Sequence, residues 1–148
     1  MIDLRFPTAL QMVLGIALAD RNGIRCTSRT LAEGLASNPS FIRKLLIPLA
    51  LDGMIATTPG KGGGLHLGRP ASEITLRQIY QAATAEKRLL PARQDIPCFC
   101  VISSNINDFF SEVSNDIEQS LHASLEKITV EYSLERIIHF ELLRNSSF

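Results

Sequence analysis

The chain has 148 residues, of which 45% are hydrophobic and 20% charged, a composition typical of a folded globular domain. Fifteen Lys and Arg balance fifteen Asp and Glu, which argues against a uniformly basic nucleic-acid-binding protein. The charge is uneven, however, because residues 1–70 carry a net +4 and residues 71–148 a net −4. This asymmetry is either a chance imbalance or the mark of an N-terminal half that faces nucleic acid.

The sequence shows no membrane or export segment. No stretch approaches the 18 apolar residues of a transmembrane helix, and the first residues lack the pattern of a signal peptide. Three cysteines are an odd number, which does not suit a disulfide framework. We therefore expect a cytoplasmic protein that does not contact a membrane.

Apolar spacing predicts three helices in the first third of the chain. The first covers Phe6–Ala19, and a short second helix follows a cap at Thr27 or Ser28. Asn38 is a strong N-cap for the third helix, and Pro39 suits its first position because the missing N–H had no partner there. The order of helix, capped turn and helix is typical of a helix-turn-helix.

The third helix is predicted to have two different faces. At about 100° per residue, one face carries the apolar residues and should anchor the helix, while the other should point outward. The anchoring face comprises Ile42, Leu45, Leu46 and Leu49, and the outward face Ser40, Arg43, Lys44 and Ile47. Pro48 lies within this helix and should kink or shorten it, since proline removes one backbone hydrogen bond.

A glycine-rich hairpin follows the third helix. Two short strands, Met54–Thr58 and Gly64–Leu67, are joined by five residues that include Lys61, and this much glycine indicates positive φ angles or a close backbone approach. A fourth helix is expected over Thr75–Ala85. A hairpin placed after a helix-turn-helix completes the plan of a winged helix, in which one helix and one loop can meet a DNA duplex.

The C-terminal part is predicted to contain a loop and a long helix. Residues 86–104 lack periodicity, and from about Asn105 apolar residues recur every three or four positions. A stripe of this length exceeds what the N-terminal half needs for its core, so part of it should meet a second copy of the chain. The alternative is that the stripe packs wholly within its own chain. A last helix is expected from Ser133 to about Leu143.

These elements define a mainly α fold with a small β-hairpin wing, composed of a winged helix-turn-helix domain and a long dimerisation helix. The expected division assigns residues 1–85 to the DNA-binding domain, 86–104 to a cysteine-containing loop, and 105–148 to the dimerisation and C-terminal helices.

The chain resembles the bacterial winged-helix regulators typified by the iron–sulfur cluster assembly regulator, the nitric-oxide-sensing repressor and the cysteine-metabolism repressor. The resemblance rests on the motifs at Ser28–Glu33, Ser37–Leu46 and Asp52–Ile55, on the wing at Gly60–Pro70, and on the helix motif at Ile74–Ile79. It implies a homodimeric DNA-binding transcriptional regulator, which we expect to be a repressor acting on a pseudo-palindromic operator. Family wings usually carry an aromatic residue where Leu65 stands.

The resemblance and the predicted faces together indicate the DNA-binding residues. Arg43 is the candidate for pairing with a base, and Lys44 and Lys61 are candidates for phosphates. Ser40 and Arg29 complete the expected set. Each of these side chains could instead be an ordinary solvated group, and Arg69 either contacts DNA or holds the wing against the domain.

The cysteines indicate which branch of the family the chain resembles. Cluster-binding members carry three cysteines in the loop before the long helix, whereas this loop has only Cys98 and Cys100, and Cys26 lies elsewhere. The spacing from Cys100 to Asn105 resembles the cluster-free branch. We therefore expect no iron–sulfur cluster and no other cofactor or metal. Cys100 and Cys98 are either sensor thiols or small buried residues, and a small ligand between the wing domain and the long helix is another candidate signal.

The sequence contains no catalytic motif, so we do not expect an enzyme. The glycine-rich wing lacks the P-loop pattern and joins two strands rather than a strand and a helix. The alternative function is a winged helix that binds protein without DNA, which an exposed apolar patch around Ile47 would favour.

Overall fold

The computed structural model describes residues 2–85 and 87–147. Met1, Glu86 and Phe148, which lie at the limits of predicted segments, fall outside the described residues. The predicted fold class is confirmed: the described residues are mainly helical with a small antiparallel hairpin. In chain order the elements are α1 (Arg5–Asn22), α2 (Ser28–Gly34), α3 (Pro39–Leu51), β1 (Ile55–Thr58), β2 (Gly64–Leu67), a 3₁₀ turn (Ala71–Glu73), α4 (Leu76–Thr84), α5 (Val101–Glu126) and α6 (Val130–Asn145).

One hydrophobic core lies beneath α1, α3 and α4. Met12 and Ile16 of α1, Ile42 of α3 and Ile79 of α4 are all fully buried. Their spacing along each helix follows the period of 3.6 that the sequence shows, so each helix turns one apolar stripe inward. Burying side chains of this size contributes about 1.5–3 kcal/mol each, which fixes α3 to the domain.

The start of α6 returns to this same core. The backbone N–H of Leu76 donates to the Ile128 carbonyl (2.9 Å), and that of Val130 donates to the Ile74 carbonyl (2.8 Å). The side chain of Val130 is fully buried. The last helix begins at Val130 and not at the predicted Ser133, because the Thr129 hydroxyl accepts the Tyr132 N–H and caps it earlier. The first turn of α6 is thus part of the winged-helix core.

The wing is a two-stranded hairpin packed closely on the segment before α2. The first strand begins at Ile55, one residue after the predicted Met54; Ile55 pairs with Leu67 and Thr58 with Gly64. The Leu65 N–H donates to the Cys26 carbonyl (2.7 Å). A Cβ at Gly64 would overlap that same carbonyl oxygen. Glycine is therefore required at this position by close backbone approach.

The long helix α5 begins four residues before the predicted start at Asn105. Cys100 caps it: the Ser103 N–H lies 3.5 Å from the Cys100 Sγ, and the Cys100 N–H donates to the Ser103 hydroxyl (3.0 Å). A thiol is not among the preferred capping groups, so sequence reasoning passed over it. The helix has 26 residues and is about 39 Å long at roughly 1.5 Å per residue.

The segment 87–100 lies along α5. The Leu89 N–H donates to Glu118 Oε1 (2.9 Å), and the hydroxyl of the fully buried Ser114 donates to the Leu90 carbonyl (3.1 Å). These contacts cover one side of α5 and leave much of its apolar stripe in solvent. Ile102 and Phe109 are 69% and 62% exposed.

Two smaller findings complete the description. The helix α3 continues through Pro48 to Leu51, with the Asp52 N–H bonded to the Pro48 carbonyl (3.1 Å), so proline does not end the helix. Among residues 2–85 and 87–147, no helix has both the length and the apolar content needed to cross a membrane.

Candidate nucleic-acid interface

The N-terminus of α3 is built as predicted. The Asn38 side chain accepts the Ser40 N–H (2.8 Å), and Pro39 occupies the first helical position. The outward face is confirmed, since Ser40, Arg43, Lys44 and Ile47 are all exposed. On the anchoring face Ile42, Leu45 and Leu49 are buried and Leu46 is partly buried.

The cations of α3 and the wing are available for a ligand. The Arg43 Nε donates to the Pro39 carbonyl of the preceding turn (3.3 Å), which leaves the two terminal nitrogens of its guanidinium free of that contact. Lys44 and Lys61 are exposed. Within residues 2–85 and 87–147, none of these three side chains forms an ion pair with an acidic group. An unpaired, solvated cation can bind a phosphate without first giving up a partner.

Lys61 stands at the turn of the wing. The Gly63 N–H donates to the Gly60 carbonyl (3.1 Å), and Gly60 and Gly62 have φ angles of 90° and 81°. A residue with a Cβ adopts such angles only with strain. The glycines therefore make the tight turn, and Lys61 supplies its one charged side chain.

Three contacts hold the wing to the end of α1 and to the segment that follows it, and sequence reasoning missed all of them. One carboxylate oxygen of Asp20 lies 2.7 Å from His66 Nδ1, and the other accepts the Leu67 N–H (2.8 Å). The Arg25 Nε donates to the Gly63 carbonyl (2.5 Å). Each pair joins residues at least 38 positions apart, so no local pattern in the sequence could have indicated them. Arg25 is thereby placed beside the turn of the wing, bound through its Nε.

Arg69 serves as a clamp between the wing and the helices. Its Nη1 donates to the Asp52 carbonyl at the end of α3 (2.9 Å), and its Nη2 donates to Gln78 Oε1 on α4 (3.0 Å). Its side chain is only 24% exposed. Of the two roles that the sequence left open, the structure supports holding the wing in place.

Arg29 differs from the other candidates because it has an acidic partner. Its Nε lies 3.0 Å from Glu33 Oε1, one turn along α2. Both side chains are well exposed, at 88% and 64%. An exposed pair of this kind stabilises the helix by a few tenths of a kcal/mol, so Arg29 can exchange Glu33 for a phosphate at little cost.

The three cysteines occupy two distinct environments. Cys26 is buried beside the wing, and burial raises the pKa of its thiol. Cys98 and Cys100 are exposed. The backbone N–H of Ser103, then its hydroxyl and the Ile102 N–H, lower the pKa of Cys100. A helix N-terminus of this kind stabilises a thiol as the thiolate.

The donor groups of one chain do not fit an iron–sulfur cluster. A cluster commonly takes four protein ligands, most often thiolates, that converge on its irons. In the described part of the chain, no three His, Cys, Asp or Glu side chains form a group able to hold a metal ion. Cys26 is tied into the wing, and only Cys98 and Cys100 share the loop before α5.

Comparison with known proteins identifies the family. Residues 2–136 match the model of the Rrf2 family, described as "Iron-dependent Transcriptional regulator". A Bacillus subtilis (strain 168) protein, YwgB, named as an HTH-type transcriptional regulator, is 30% identical over 118 residues, which are 75% of this chain and 76% of that protein. A Lactococcus lactis protein with the same type of name, YffB, is 25% identical over 116 residues, covering 71% and 72% of the two chains.

Solved structures share the fold over almost the whole chain. A Lactobacillus plantarum protein described as a transcriptional regulator has a TM-score of 0.74 at 22% identity and covers 99% of this chain and 100% of its own. The IscR of T. potens has a TM-score of 0.68 at 18% identity, covering 93% and 88%. The global cysteine regulator CymR of B. subtilis has a TM-score of 0.65 at 15% identity, covering 92% and 97%.

Proposed function

We propose that this chain, which belongs to the Rrf2 family of transcriptional regulators, binds a pseudo-palindromic operator as a homodimer. Its relatives are regulators of transcription and not enzymes, and DNA binding is the activity that this family membership implies. The observation that carries the proposal is the exposed, unpaired cation face of α3, followed directly in the chain by a wing with Lys61 at its tip. We further propose that the protein is cytoplasmic and represses its target genes.

The side chains have different roles at the duplex. The guanidinium of Arg43 can donate two parallel hydrogen bonds to a guanine in the major groove, and Ser40 lies one turn nearer the helix N-terminus for a base or phosphate. Lys44 and Lys61 neutralise phosphates, with Arg29 as a further phosphate ligand. The exposed Ile47 on the same face provides an apolar contact for a thymine methyl.

The second protomer covers the apolar stripe of α5. Ile102, Phe109 and Ile117 follow one another at intervals of seven and eight residues and are 69%, 62% and 39% exposed. Residues seven or eight apart share a helix face, so these three side chains form one continuous strip. A symmetric pairing of α5 with a second copy buries the strip and brings two copies of α3 to the same duplex.

The signal acts through Cys100 and not through a cluster. The thiol caps α5 at the point where the loop meets the dimer helix. Oxidation of this thiol by a peroxide to a sulfenic acid, with release of water from the peroxide, would replace the group that faces the Ser103 N–H by a bulkier one and disturb the first turn of α5. Cys98, also exposed, is the second candidate thiol. Since only Cys98 and Cys100 share the loop before α5, we expect protein purified without oxygen to be colourless and to lack stoichiometric iron and labile sulfide.

Selection of duplex fragments from a random pool by the purified protein tests the proposal. We expect enriched fragments to contain an inverted repeat with half-sites about one helical turn apart or a multiple of it. Failure to enrich any sequence would contradict operator binding, and a single asymmetric site would contradict the two-fold dimer.

Ile47 also bears on the alternative of a protein-binding module. It is 61% exposed, and Leu51 at the end of α3 is 83% exposed. The two side chains lie four residues apart on α3 and form a small exposed apolar area, which is shorter than the stripe on α5. The similarity to transcriptional regulators favours a DNA-binding regulator over a protein-binding module.

A further inference from the structure

A small polar pocket lies between the DNA-binding domain and the dimer helix. It has a volume of about 190 Å³ and is lined by Tyr80, Gln81, Thr84, Lys87, Glu118 and His122. The first three belong to α4 and the last two to α5. A water occupies about 30 Å³ in the liquid, so the pocket has room for about six waters or for one small molecule with a similar number of heavy atoms.

The pocket contains a polar atom that the protein leaves without a partner. His122 Nδ1 is buried and has no hydrogen-bond partner among the described residues. The His122 ring packs edge-on against Tyr80, with the ring centroids 5.9 Å apart, which fixes its position. A buried nitrogen without a partner destabilises the folded state, and a bound ligand or an ordered water removes that cost.

The charged groups of the pocket have opposite signs. Glu118 uses Oε1 to accept the Leu89 N–H (2.9 Å), which leaves Oε2 for another donor. Lys87 lines the same pocket, and in the described chain neither side chain belongs to an ion pair. An ammonium group suits Glu118, and a carboxylate suits Lys87.

From these groups we infer that the α4–α5 pocket binds a small zwitterion, such as a free α-amino acid, as an effector. Its carboxylate pairs with Lys87, its ammonium group with Glu118, and one of its polar atoms meets His122 Nδ1. Because α4 belongs to the DNA-binding domain and α5 to the dimer interface, a ligand bound between them changes the spacing of the two DNA-binding domains in the dimer. That regulatory consequence rests on the proposed function, whereas binding of the ligand does not.

Thermal unfolding of the full-length protein without DNA tests the inference. The common L-amino acids are added singly at millimolar concentration, with acetate and methylammonium as probes that carry only one of the two charges. At about 100 times its dissociation constant, a ligand should raise Tm by about 5 °C or more. We expect at least one amino acid to do so and neither single-charge probe. If no amino acid shifts Tm, the pocket holds only water and the inference is wrong.

Matched variants locate the site. Lys87→Met and His122→Gln should reduce the shift by at least half, whereas Lys127→Met and His139→Gln, which change the same residue types outside the pocket, should not. Equal shifts in all four would place the binding elsewhere and overturn the assignment. Each variant is first melted without ligand, and a cooperative transition shows that it is folded. The ligand-induced shift in Tm is then measured from that variant's own Tm without ligand.

Measurement of DNA affinity separates this inference from the function on which its regulatory part rests. We expect the active amino acid to change DNA affinity in the wild type and not in Lys87→Met. A thermal shift without DNA binding would contradict the regulator proposal alone. DNA binding without a thermal shift would contradict the effector site alone.

Discussion

The wing tip provides the most direct quantitative test, in the variant Lys61→Met. Lys61 is exposed, has no acidic partner in the described chain, and is the one charged side chain of the turn, so we expect each wing to contact one phosphate. Each lost phosphate contact reduces the magnitude of the negative slope of log affinity against log salt concentration by about 0.9. A homodimer places two wings on the duplex, so the slope should fall by about 1.8.

Fluorescence anisotropy with a labelled duplex of arbitrary sequence measures this slope, because phosphate contacts do not depend on sequence. Over a fourfold rise in salt, the affinity of the wild type should fall about 12-fold further than that of Lys61→Met. Lys127→Met, at the end of α5, is the matched control and should leave the slope unchanged. A fall of about 0.9 would indicate one wing per complex and contradict the dimer. An unchanged slope in Lys61→Met would refute the role of the wing.

Three further predictions concern the other parts of the molecule. Arg43→Ala should cost about 1–3 kcal/mol of operator affinity for each half-site and relax the preference at one base of each half-site. Arg43→Lys should not restore the affinity because lysine lacks the paired donors, and unchanged selectivity would contradict base contact. The double variant Phe109→Asp with Ile117→Asp should halve the mass measured by light scattering. Ile24→Asp, which changes an exposed apolar residue of the wing domain, should leave the mass unchanged. A monomeric wild type would refute the α5 interface. Since a lowered pKa leaves more thiolate at neutral pH, iodoacetamide should label Cys100 before Cys98, and oxidation should change operator affinity in the wild type but not in Cys100→Ser; equal responses would move the sensor elsewhere.

Local patterns in the sequence were sufficient for the elements that depend on neighbours along the chain. The two faces of α3, the Asn38 cap and the hairpin strands all follow from periodicity, capping and turn residues, and the structure has them as predicted. The start of α5 was wrong by four residues because the cap is a thiol supported by the Ser103 hydroxyl, a pairing that capping preferences do not include.

Contacts between distant parts of the chain could not be predicted in this way. The carboxylate of Asp20 meets β2 more than 40 residues later, and the guanidinium of Arg69 meets Asp52 and Gln78 on two different helices. Such contacts depend on how the helices pack, and a single sequence does not record that. The roles of Arg29, Ser40, Arg43, Lys44 and Lys61 at DNA, and of Cys98 and Cys100 as sensors, stay predictions.

The close packing of the wing also limits which amino-acid substitutions the wing can accept during evolution. A side chain at Gly63 would overlap the Thr58 carbonyl, and one at Gly64 would overlap the Cys26 carbonyl. Lys61, at the turn itself, has an exposed side chain. A screen of single substitutions for folded protein should therefore find that Gly63 and Gly64 tolerate no side chain, whereas Lys61 tolerates many. Substitution at the wing would thus change the overall affinity for DNA through one exchangeable side chain, whereas a new operator sequence would require a change in base contacts such as that of Arg43.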